Sequence, residues 1–104
     1  MRRTRAAASH RERLIEELRA DPRLAAEYLK AAIDDEEPQV LLAALHTIVE
    51  ARGMARVAEA AKIPRESLYR ALSLRGNPRL TTLLAIIRAA GFKIALAERK
   101  RPAA

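Results

Sequence analysis

Residues 54–73 read MARVAEAAKIPRESLYRALS, and the spacing of apolar side chains in that stretch decides the fold. Val57, Ala58 and Ala61 fall on one face of a helix over 54–61. Lys62, Ile63 and Pro64 break that helix, with Ile63 as an apolar plug in the turn. Leu68, Ala71 and Leu72 then mark the inward stripe of a second helix over 65–73. Two short helices about a turn of roughly four residues, with small Ala58 at their crossing, have helix-turn-helix spacing. With the stripe turned to the core, the opposite face of the second helix displays Arg65, Glu66, Tyr69 and Arg70.

The flanks extend the helical pattern in both directions. Upstream, Ser9 and Glu12 have capping-box spacing and predict a helix over 9–20, with Leu14, Ile15 and Leu18 as its narrow stripe. Asp21 is placed to cap a second helix with Pro22 in its first turn, where a missing N–H costs nothing. Leu24, Ala25, Tyr28, Leu29, Ala32 and Ile33 form its broad apolar face. Pro38 opens a third helix behind four acidic residues, and Leu41, Ala44, Leu45, Ile48 and Val49 are its stripe. Gly53 ends it as a left-handed cap. Downstream, Gly76-Asn77-Pro78 breaks the chain. A last helix over 81–90 turns Leu80, Leu83, Leu84 and Ile87 inward, and Gly91 stops it. Phe92, Ile94 and Leu96 then alternate, which predicts a short strand that pairs with its copy in a second chain; the other reading is helix. The expectation is an all-α fold of five to six helices. It comprises a disordered basic tail at 1–8, a helical lead-in at 9–51, a helix-turn-helix region at 52–97 and a basic tail at 98–104.

Composition sets the bounds on function. One domain is all that 104 residues support. Cysteine is absent, which excludes a disulfide scaffold and any thiol chemistry. His10 and His46 are too far apart for a metal motif, and three glycines exclude a phosphate-binding loop. No apolar run reaches the roughly 18 residues of a membrane span, and the basic N-terminus lacks a signal peptide's apolar core. The sequence thus predicts a cytoplasmic protein that is not an enzyme, with no catalytic residues, no metal and no cofactor.

Charge is divided along the chain. Residues 1–51 carry a net −2 and residues 52–104 a net +9. The first half divides again, into an arginine-rich start and an acidic stretch over 14–51 with nine carboxylates against three cations. A basic block of that size is a footprint for a polyanion. On the second helix of the motif, Arg65 and Arg70 can chelate guanine, Glu66 can accept from cytosine, and Tyr69 can pack on a thymine methyl. Two other roles stay open at this level: Glu66 as an i, i+4 partner of Arg70, and Tyr69 against a neighbouring helix. Arg56, Lys62, Arg75, Asn77 and Arg79 occupy turn and helix-start positions suited to the DNA backbone. Phe92, Ile94 and Leu96 are the candidate dimerisation residues.

The stretch GMARVAEAAKIPRESLYRALSLRGNPRLTTLLAIIRAAGFKI at 53–94 resembles the lambda-repressor-like (XRE-type) helix-turn-helix domain. More narrowly it is similar to small antitoxins, the addiction-module antidote proteins. RESLYRAL at 65–72, GNP at 76–78 and TLLAIIRAAGFKI at 82–94 carry the likeness, which covers roughly residues 20–97. It implies a dimeric protein that binds a double-stranded DNA operator, represses its own operon and neutralises a cognate toxin, RelE-like and mRNA-cleaving. The sequence departs from that family at Ala55, Arg56 and Pro64, where Ser or Thr, Gln and Ser are usual. Both motif helices therefore lack an N-cap hydroxyl, at a cost of about 1 kcal/mol each. The alternatives are a stand-alone phage-type repressor and a helical protein that binds nucleic acid without sequence preference.

Overall fold

A computed structural model of the chain describes residues 5–100, with side chains from Ser9 onward. Its six helices are α1 (Arg5–Ala20), α2 (Pro22–Ile33), α3 (Pro38–Arg52), α4 (Met54–Ala61), α5 (Arg65–Ala71) and α6 (Leu80–Ala89). Contacts divide them into two sets of three. Helices α1, α2 and α3 pack on one another, α4 packs on both α5 and α6, and α3 against α4 joins the sets. One apolar core runs through both, from Leu18, Leu29, Leu45, Ile48 and Val49 to Val57, Leu68, Leu72, Ile86 and Ile87. Among the described residues, no helix is long and apolar enough to cross a membrane.

Local chemistry accounts for most of the helix ends. The Asp21 carboxylate accepts from the Arg23 and Leu24 N–H groups at 3.0 and 3.2 Å, and Pro22 follows at the first helical position. Gly53 alone separates α3 from α4. Its φ of 104° is positive as expected, but with ψ at 115° it lies outside the left-handed helical well. Gly91 closes α6 in a Schellman motif: its N–H donates to Arg88 O at 3.0 Å and that of Phe92 to Ile87 O at 3.1 Å. Gly76 has no space for a side chain. A Cβ there would penetrate the Ala71 carbonyl oxygen and stand 2.9 Å from Ser73 O.

The turn between α4 and α5 is a second Schellman motif, and it holds a lysine where glycine is the usual residue. The Lys62 N–H donates to Glu59 O and that of Ile63 to Ala58 O, both at 3.1 Å. Lys62 sits at φ 59°, ψ 41°, and is the one non-glycine with positive φ among the described residues. A left-handed L-residue costs about 1–2 kcal/mol, partly offset because glycine would lose more chain entropy on folding. Lys62→Gly is therefore expected to raise the unfolding free energy by about 0.5–1 kcal/mol. Urea titration checks this: the midpoint should rise at unchanged slope.

Three expectations need correction. Helix α1 starts at Arg5, so Ser9 lies inside it and caps nothing. Three consecutive alanines, strong helix formers, carry the helix past Ser9. Residues 5–8 of the expected basic tail are thus helical, while 1–4 and 101–104 lie outside the described residues. Residues 92–97 follow α6 as irregular chain, the expected strand being one that pairs only with a second copy. Their side chains divide, with Phe92 against the core and Leu96 almost fully exposed. Finally, Leu80 and Ile33 point outward, at 69% and 52% exposure. The buried residues of α6 are Ile86 and Ile87, of which only Ile87 was expected.

Candidate nucleic-acid interface

Helix α5 is held by one stripe. Leu68 is fully buried and Leu72, one turn on, is 3% exposed. Residues i and i+4 share a helix face, Ala71 packs on the core beside them, and the opposite side is turned outward. Arg65, Glu66, Tyr69 and Arg70 are all exposed, as the apolar spacing requires. Among the described residues no ion pair joins Glu66 to Arg70, so that rival role for Glu66 is not realised. Neither α4 nor α5 has a side-chain cap, and Pro64 opens α5 with an extended backbone.

Around α5 stand the other expected contact residues. Arg56 lies exposed in the first turn of α4, and Lys62 is exposed in the turn. Arg75, Asn77 and Arg79 are exposed on the loop leading to α6. That loop is shaped by its own hydrogen bonds: the Ser73 hydroxyl donates to Arg70 O at 2.9 Å, and the Gly76 N–H to Ser73 O at 2.8 Å. Arginines at 65, 70, 75 and 79 therefore follow one another along α5 and its exit loop.

The candidate dimerisation residues Phe92, Ile94 and Leu96 border one cleft but differ in exposure. Phe92 is half-buried on its own core, with the Arg52 guanidinium 5.8 Å from its ring centroid. Ile94 and Leu96 are exposed, along a cleft of about 500 Å³ shared with Leu29, Ile33 and Ile87.

One group of residues beside the interface was not singled out from sequence. Arg11 of α1 donates to the Glu50 carboxylate of α3 at 2.9 Å and to the Thr47 hydroxyl at 3.4 Å. The same Glu50 oxygen is 3.4 Å from His46 Nε2. The His46 ring meets the Tyr69 ring edge to face, centroids 6.3 Å apart at 68°. Tyr69 thus both leans on a neighbouring helix and keeps 44% of its surface exposed. The i, i+4 spacing of His46 and Glu50 was the signal available; nothing in sequence ties Arg11 to them. Among the described residues no group of three or more His, Asp or Glu side chains could hold a metal ion.

Comparison with known proteins places the chain in a family. A family model described as "Probable addiction module antidote protein" matches residues 13–98, a span that includes every helix of the motif. An uncharacterized protein of Haemophilus influenzae is 39% identical over 62 residues, which is 60% of this chain and 64% of that relative. The match therefore spans a little under two thirds of the relative's length. No solved structure matches the chain.

Proposed function

Because the chain belongs to the family of probable addiction module antidote proteins, we propose that it is a DNA-binding antitoxin. It represses its own operon and neutralises a RelE-like, mRNA-cleaving toxin. The observation that carries the reading is the exposed face of α5, with Arg65 and Arg70 on a helix anchored by Leu68. Cations on a rigid short helix, backed by the cationic loop at 75–79, fit a major groove and its flanking phosphates.

A two-fold dimer would place two α5 helices about 34 Å apart, in successive major grooves of a palindrome. Ile94 and Leu96, exposed and apolar, are the side chains we assign to that contact. The toxin would dock on the opposite charge. Glu12, Glu16, Glu17, Glu27 and the run at 34–37 are all exposed on the first two helices and the turn that follows. A ribonuclease must be basic to grip RNA, so an acidic face is its electrostatic complement. Binding and not catalysis is the work of this chain, and the cytoplasm is where operator and messenger both lie.

The test is an anisotropy titration against a duplex from upstream of the chain's own gene, beside a scrambled duplex of equal length. A preference of about a thousandfold or more for the upstream duplex supports a specific repressor. Equal binding to both, steeply weakened by salt, would reduce the basic half to a general polyanion footprint and sink the reading.

A further inference from the structure

We infer that His46, held by Glu50, is a positioning residue that sets the rotation of α5 and so the aim of its base-contacting arginines. The inference rests on the DNA-binding reading of α5 given above.

A helix anchored along one narrow face is held firmly along that face and is least restrained against a small roll about it. Helix α5 is such a case: Leu68 is the buried residue within its seven, and Leu72 follows in line. Side chains advance by about 100° per residue, so Tyr69 projects well to the side of the Leu68 stripe. A contact there resists roll. His46 supplies it, with its ring at 68° to that of Tyr69.

His46 is itself restrained. Its Nε2 lies 3.4 Å from a Glu50 carboxylate oxygen that Arg11 also holds, at 2.9 Å. Thr47, 4% exposed, anchors the same arginine while its hydroxyl donates to Ala43 O at 3.1 Å. The order Arg11, Glu50, His46, Tyr69 therefore runs from α1 across α3 to α5. Small rotations matter at this distance. A roll of about 10° moves a guanidinium some 7 Å from the axis by about 1 Å, beyond the tolerance of a productive polar constellation. Phosphate contacts made by long flexible side chains tolerate such a shift, whereas bidentate base contacts do not.

The test is a cycle of His46→Ala, Tyr69→Ala and the double variant. Affinity is measured for the upstream and scrambled duplexes at a temperature where circular dichroism shows each variant folded. His46→Ala should lower the upstream-to-scrambled ratio about threefold to tenfold, the range of an aromatic pair, and leave scrambled binding unchanged. In the Tyr69→Ala background it should cause no further fall. A purely structural role would weaken both duplexes alike, or act equally in both backgrounds, and either result overturns the inference alone. An unaltered chain that binds both duplexes equally overturns the functional reading and the inference with it.

Discussion

Leu68→Ala is expected to destabilise the chain by about 2–5 kcal/mol, the cost of truncating a fully enclosed leucine. Leu68 has no exposed surface and belongs to the apolar core that includes Val57, Ala58 and Ile86. Domains of this size hold only about 5–15 kcal/mol in total, so the variant stands near the edge of folding at 37 °C. The effect should exceed that of the neighbouring Ser67→Ala, whose side chain is only partly enclosed. Urea midpoints of the two variants make the comparison. Leu68→Met, which keeps volume, should recover most of the loss, at under about 1.5 kcal/mol. If Leu68→Ala unfolds no more easily than Ser67→Ala, α5 is not secured through this residue and its use as a rigid reading element fails.

Arg65→Ala should cost about 1–3 kcal/mol on the operator, a factor of roughly 5 to 150, and relax preference at one base position. Arg65 is exposed in the first turn of α5. Removing it leaves the core untouched, so the melting temperature should not move. Arg79, exposed ahead of α6, supplies the contrast. Arg79→Ala should weaken operator and scrambled duplexes alike and reduce the salt slope of binding by about one. Titration of both variants at two salt concentrations separates the roles. Equal losses on both duplexes for Arg65→Ala would move that arginine from the base edge to the backbone.

What the sequence made legible follows from how local each determinant is. The bounds of α4 are Met54–Ala61 as the spacing predicts, because Gly53 and the Lys62–Pro64 turn punctuate it on both sides. Asp21 with Pro22, and Pro38, fixed two more starts, since a cap or a prolyl ring acts within one turn. The outward face of α5 was equally readable, because Leu68 and Leu72 fix which side of the helix meets the core. Signals that compete locally were misread. Ser9 is a good cap, but the alanines before it favour helix more strongly. In α6, a surplus of apolar residues hides which of them the core takes: Ile86 is buried and Leu80 exposed. Alternation at 92–97 gives no strand within one chain, which places Phe92 on its own core. The link from Arg11 to Tyr69 joins three helices across 58 positions, and no periodicity can announce it.

The single-residue junction at Gly53 has an evolutionary consequence. With α3 ending at Arg52 and α4 starting at Met54, two dihedral angles of one residue set the direction in which the second half leaves the first. One amino acid inserted there would redirect α4 and the helices behind it and break the packing of α3 on α4 through which the single core runs. Descendants of this gene can therefore drift in composition across α3 and α4, yet a change of length at this point would uncouple the two halves at a stroke. Insertions and deletions should accumulate in the loop at 73–79 or beyond residue 97, and spare position 53.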